Sequence, residues 1–280
     1  MTTLTPTAAP RSGVSFGGIL KSEGIKLMSL RSTIWCYSII VFLTIALSLI
    51  FGSTIYIEGA VSLDHDTQQG FAVQAATLSV GMSQLVIAVL GALVITGEYG
   101  TGMIRTTFTA VPSRLPALIG KALVFGVITA VVGFVSIVLS ALITAPILSG
   151  AGSPVNFSDG PYWIALLGAA GYLALVGIFS FALGAIVRNS AGGIAAALGA
   201  VLVLPNILAI FASITQSVVA HNIGVFLPSN AGAQMYAYAT KSIGSTDPLV
   251  LEPWVGGIVM VAWVVVLFVV ASVLAKRRDV

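Results

Sequence analysis

The 280-residue chain is 58% hydrophobic and 8% charged, with a mean hydropathy of +1.07 and a formal net charge of +3. A soluble domain carries about 25% charged residues, so a soluble fold of this size is excluded and an integral membrane domain is indicated. The small positive charge needs no nucleic acid to explain it, and the single cysteine, Cys36, excludes an internal disulfide and reads as apolar filler.

Residues 1–15 are polar and of low complexity, with no apolar core of the kind a signal peptide needs, and are expected to form a disordered cytoplasmic tail. Residues 16–280 then form one transmembrane domain. In "SFGGILKSEGIKLMSLRST", Phe16, Leu20, Leu27, Leu30 and Ile34 fall near helical spacing, with Lys21, Lys26 and Arg31 at polar positions. This predicts an amphipathic helix on the inner leaflet. Gly18 and Gly24 weaken that pattern, and a basic segment that only sets topology is the alternative.

Six apolar runs are long enough to cross the hydrocarbon core as helices: 34–57, 75–96, 122–148, 162–187, 192–215 and 254–275. Their length and continuity exclude the short alternating segments of a β-barrel. With both termini cytoplasmic, the inner segments hold Arg11, Lys21, Lys26, Arg31, Arg105, Arg114, Lys121, Arg188, Lys276, Arg277 and Arg278, and the outer segments hold only Lys241. The positive-inside rule selects that orientation. The acids Glu58, Asp64, Asp66, Asp159, Asp247 and Glu252 fall outside, in agreement.

Between the second and third runs lies "GEYGTGMIRTTFTAVPSRLPALIGK". Gly100 and Gly102 permit a tight turn, "GMIRTTFTA" suits a short helix, and Pro112 ends it. Arg105, Arg114 and Lys121 offer cations to a partner or to anionic lipid. Glu98 is placed to hold the turn through an Arg or a backbone N–H. The alternative is a topogenic loop without a partner.

In "RNSAGGIAAALGA", Gly192, Ala196 and Ala200 recur every four residues, with Ala195 and Gly199 beside them. Small stripes let membrane helices approach closely, so this is either a dimer contact or ordinary intrachain packing. Pro205 removes a backbone donor inside the fifth run and predicts a kink. Asn206 beside it needs a partner or a wet path. The long outer segment 216–253 carries Val225, Phe226, Leu227, Met235, Tyr236 and Tyr238, which suits short re-entrant helices covered by protein.

Enzyme signatures do not stand out. Gly120-Lys121 is followed by Ala122, not the Ser or Thr of a phosphate-binding loop. His65 lies between Asp64 and Asp66 without a second cluster, and His221 is isolated. There is no H-E-x-x-H and no serine-hydrolase elbow.

The stretch 97–121 resembles the segment between the second and third spans of ABC-2-type ABC exporter permeases: an acid, Gly-Thr, a cation, Pro, Arg, then Gly-Lys. "KSEGIKLMSLRSTIW", "RNSAGGIAAALG", "LPSNAG" and "KRRDV" resemble the same family, its actinobacterial members most, and occur in the family's order. The resemblance implies an exporter membrane subunit in the plasma membrane, working as a dimer with two separate ATPase subunits that bind ATP and Mg. It assigns ATPase coupling to Glu98, Gly100, Thr101, Arg105, Pro112 and Arg114. The stripe Gly192, Ala196, Gly199 and Ala200 is then the candidate dimer contact, and Ser83, Gln84, Pro205 and Asn206 are the candidates to line a substrate path. Apolar spans suit an amphipathic or hydrophobic cargo such as an antibiotic, peptide or lipid. A non-transporting membrane scaffold is the rival reading.

Overall fold

The computed structural model describes residues 15–55, 65–111, 114–238 and 249–277. The tail 1–14, residues 56 and 57 of the first predicted span, Pro112, Arg11, Glu58, Asp64, Lys241, Asp247 and Arg278 lie outside the described residues. The described residues are helical, with no strand among them.

In chain order the helices are α1 (Phe16–Ser29), α2 (Arg31–Ile55), α3 (His65–Thr77), α4 (Val80–Thr101), α5 (Met103–Ala110), α6 (Leu115–Gly150), α7 (Gly160–Val187), α8 (Ser190–Leu198), a π turn (Gly199–Val203), α9 (Leu204–Thr215), α10 (Val218–Val225), α11 (Pro228–Gln234) and α12 (Pro253–Arg277). Six stretches are long and apolar enough to cross a membrane: Arg31–Phe51, His65–Thr101, Leu115–Gly150, Gly160–Val187, Ser190–Thr215 and Pro253–Arg277. They match the six apolar runs read from the sequence. The second is a joined pair, α3 and α4, broken at Leu78–Ser79. At 36 residues α6 is roughly 54 Å long by helical rise, well beyond a hydrocarbon core of about 30 Å.

Helices α4 and α7 are the most buried spans and pack on each other through glycine. A Cβ on Gly91 would collide with the Gly177 carbonyl oxygen, and one on Gly184 would lie 2.8 Å from Ile95 Cγ2. Helix α6 closes the other side of α7. Between α2, α6 and the α3–α4 pair runs a seam of hydroxyls, each partnered across a helix boundary. Tyr37 shares a 2.8 Å hydrogen bond with Thr129, Ser79 donates to Thr44 at 3.1 Å, and Ser140 donates to Ser48. Apolarity gives membrane helices little reason to associate, and such bonds supply one.

The π turn stands immediately before Pro205. Leu204 N–H reaches back five residues to the Gly199 carbonyl. The wider turn gives room to a ring that would otherwise press on the carbonyl four residues back.

Candidate functional site

The polar chemistry gathers at one end of the bundle, where α1, the end of α4, α5 and the start of α6 meet. Helix α1 is capped by Ser15, whose hydroxyl oxygen accepts from Gly18 N–H at 3.1 Å. The cap carries the helix through both glycines that weaken its sequence pattern. Ile19, Glu23 and Leu27, four residues apart, face inward. Gly120 on α6 permits this seat, because a Cβ there would lie 2.8 Å from Ile19 Cγ2. Among the predicted apolar positions only Leu27 is buried. Phe16, Leu30 and Ile34 stay exposed, and so do Ile25 and Met28.

Four charged side chains interlock on this seat. Lys121 Nζ lies 2.7 Å from Glu23 Oε2 and 2.5 Å from Glu98 Oε1. Lys26 Nζ lies 2.7 Å from Glu23 Oε1 and 3.6 Å from Glu98 Oε1, and it also donates to Thr107 Oγ1 on α5 at 3.5 Å. Glu23, Glu98 and Lys121 are only 3%, 4% and 5% exposed, whereas Lys26 is half-buried. Two carboxylates and two ammoniums cancel, which is the condition for tolerating charge out of water. Burial alone would lower the Lys26 pKa, but the hydrogen bond to Glu23 and the field of Glu98 outweigh it, and the ammonium is held above its ordinary value.

This arrangement corrects two expectations. Lys121 is buried against two carboxylates, so it offers no charge to an outside partner. Glu98 is held by two lysines, where the sequence suggested an Arg or a backbone N–H. Its second oxygen, Oε2, is buried with no hydrogen-bond partner among the described residues. Glu23 carries no role in the sequence reading. Its position four residues from Ile19 and Leu27 on one helical face is the signal that could have found it.

Gly102, with φ 74°, ends α4 and begins α5. Gly100 and Thr101 are exposed on the last turn of α4, where the Thr101 hydroxyl donates to Gly97 O at 2.9 Å. Ile104 and Phe108 anchor α5 in the bundle, and Arg105 on its flank is exposed. Arg114 is committed inside the chain. Its Nη1 donates to the Ala275 carbonyl at 2.9 Å and its guanidinium lies over the Phe108 ring. Arg188 does the same one residue earlier, donating to Leu274 O at 3.1 Å from above the Tyr99 ring. Both cations meet the C-terminal turn of α12, where helical carbonyls lack partners and the dipole is negative. A groove of about 510 Å³ runs between α1 and α5, walled by Ser22, Lys26, Thr106 and Thr107 among others.

The remaining candidates scatter. On α8 and the π turn the stripe packed inside the chain is Gly193, Ala197 and Val201. It lies one residue on from Gly192, Ala196 and Ala200, which are half-buried. A Cβ on Gly199 would meet nothing within 4 Å. Ser83 is buried with its hydroxyl unpartnered among the described residues. Gln84 accepts from the Tyr172 hydroxyl. Pro205 is buried, while Asn206 is exposed and donates to Leu202 O at 2.7 Å, so its amide is satisfied by its own helix. No described hydrogen bond joins Ser83 or Gln84 to Asn206.

At the far end α10 and α11 form a hairpin, with α11 packed against α7 and α12 and α10 against α9. Trp263 Nε1 donates to Phe226 O at 2.9 Å, and the Tyr172 hydroxyl, whose proton goes to Gln84, lies 3.5 Å from Ser229 O. A cleft of about 680 Å³ opens among α9, α10 and α11, with Ser213, His221 and Asn230 in its walls. No cluster of metal-ligating side chains occurs among the described residues. Neither a family model nor a curated protein matches the chain.

Proposed function

We propose that this chain is the membrane subunit of an ATP-driven exporter of the ABC-2 type, with α5 as the helix that engages a separate ATPase. The observation that carries the reading is the placement of α5. It is a short amphipathic helix, rooted by Ile104 and Phe108, with Arg105 exposed beside the gathered ends of α1, α4 and α6. Two of the motifs that carry the family resemblance, 97–121 and "KSEGIKLMSLRSTIW", fall on α4 to α6 and on α1 and the start of α2. In this reading both termini are cytoplasmic in the plasma membrane. Two copies of the chain work with two ATPases, which bind ATP and Mg. The half-buried small residues from Gly192 to Ala200 face the second copy. The α10–α11 hairpin is re-entrant from outside, and the cargo is amphipathic or hydrophobic.

The test is co-purification with an ATPase encoded beside this chain. Arg105→Glu is expected to abolish capture at normal membrane levels, because stranding a buried acid on the partner costs about 2–5 kcal/mol. Arg114 is unsuitable as the probe, since its guanidinium supports α12. Wild-type capture by Arg105→Glu would remove α5 from the docking role and leave a membrane scaffold as the better reading.

A further inference from the structure

The charged quartet divides into two halves, and each half is neutral by itself. Helix α1 brings Glu23 and Lys26, one turn apart and 2.7 Å from each other. The bundle brings Glu98 and Lys121, 2.5 Å apart. Docking adds the crossed contacts, Lys121 to Glu23 at 2.7 Å and Lys26 to Glu98 at 3.6 Å. A seam that joined one lone acid to one lone base would strand a charge on each side when opened. Here each side keeps an internal partner, so opening strands none.

The surroundings suit movement of α1 as a unit. A single extended residue, Leu30 (ψ 120°), joins it to α2 along the chain. Ile19 and Leu27 are its buried apolar side chains at the seam, with Leu20 half-buried, while Phe16, Ile25 and Met28 already face outward and need no new environment. The groove of about 510 Å³ on the α5 side gives α1 space beside it.

We infer that α1 is a hinged arm, held on the bundle by a charge exchange that opens without stranding a charge, and that its release uncovers Glu98 and Lys121. The inference does not depend on the proposed exporter function and is tested without any ATPase.

The reporter is Leu27→Cys in a Cys36→Ala background, labelled in membranes with a soluble maleimide. Ile87→Cys, fully buried in α4, is the control for general unfolding. The double variant Glu23→Gln/Lys26→Gln removes one half of the quartet and leaves the other neutral. It is expected to label at Leu27→Cys about tenfold faster than the parent while Ile87→Cys stays inert. Its Tm is expected to equal or exceed that of either single variant, Glu23→Gln or Lys26→Gln. Gly120→Leu, which pushes on Ile19 without touching a charge, is expected to speed labelling likewise. The arm is overturned if Leu27→Cys reacts no faster in either the double variant or Gly120→Leu, or if the double variant melts below both singles.

Discussion

Lys121 on α6 and Glu98 on α4 are 23 residues apart and meet at 2.5 Å, flanking α5 at its two roots. Both are almost fully buried, and Glu23 and Lys26 of α1 complete the site. Removing one member of such a pair leaves the other charged and out of water, which costs about 3–5 kcal/mol, whereas replacing both is often neutral. Lys121→Met and Glu98→Gln are each expected to lower membrane yield and the midpoint of thermal unfolding in detergent. The pair of changes together is expected to recover most of the loss. Additive losses would mean that the two residues act separately.

Much of the architecture was legible because lipid imposes it. Six apolar runs had to be helices, and most observed span ends fall within a few residues of the predicted ones. The second span starts earlier because α3 carries His65, Asp66 and Gln69 that read as loop, and the third starts earlier too, at Leu115 rather than 122. The short helix α5 was legible from Gly102 and its amphipathic pattern. The charge pairing was not. Glu23 and Lys121 are 98 residues apart, and nothing local says which acid meets which base. Arg114 read as a cation for a partner and Arg188 only as an inner charge, because their acceptors, the carbonyls of Ala275 and Leu274, belong to the backbone and leave no trace in the sequence. The small stripe left its partner open, and only packing shows that Gly193, one residue on from Gly192, is the glycine seated inside the chain, against Thr96 and Gly184.

The glycine contact between α4 and α7 predicts a sharp size limit. A side chain on Gly91 meets the backbone at Gly177, which cannot rotate away. Gly91→Val is expected to force the two central helices apart and cost about 1–3 kcal/mol or more. Gly97→Ala, with open space around its Cβ, is the matched control. Equal thermal midpoints for the two variants would show that this contact does not set the helix separation.

The orientation in the membrane is open to direct measurement. In a Cys36→Ala background, Asp66→Cys is expected to react with an impermeant thiol reagent in intact cells and Lys276→Cys only after permeabilisation. The reverse pattern would invert the topology and place α5 outside.

Tyr238 donates to Asp159 Oδ2 at 2.8 Å, tying the segment after α11 to the start of α7. Burial, the hydrogen bond and the nearby carboxylates of Asp159 and Asp66 push its hydroxyl up to about 12. An acid with a raised pKa in the folded state contributes stability that is complete below its unfolded value, near 10, and is lost as pH rises towards 12. Wild type is therefore expected to lose stability over that window more steeply than Tyr238→Phe. The variant starts lower by roughly 1 kcal/mol. Parallel unfolding curves from pH 9 to 12 would count against the tie.

The depth of the α10–α11 hairpin yields the last prediction. Tyr172 lies twelve residues into α7 and Trp263 ten residues into α12. At 1.5 Å per residue these are roughly 18 Å and 15 Å from the helix starts, about half of a 30 Å core. In the proposed topology their contacts with Ser229 O and Phe226 O would hold the hairpin near mid-depth, where backbone carbonyls without partners would be costly. Three glycines make the seat. A Cβ on Gly168 would strike the Met235 carbonyl, one on Gly256 the Ala231 carbonyl, and one on Gly232 the Tyr172 ring. Gly168→Ala is thus expected to unseat the hairpin although it adds a single methyl group. In hydrogen exchange on detergent-solubilised protein, amides of residues 218–238 should exchange at least tenfold faster in the variant. Those of α1 and α5, at the other end of the bundle, should not change. Gly171→Ala, whose Cβ would touch only the flexible Met235 Cε at 3.6 Å, should leave both regions as in the wild type. Unchanged protection of 218–238 in Gly168→Ala would mean that the hairpin is held by its own helices and not by the walls of α7 and α12.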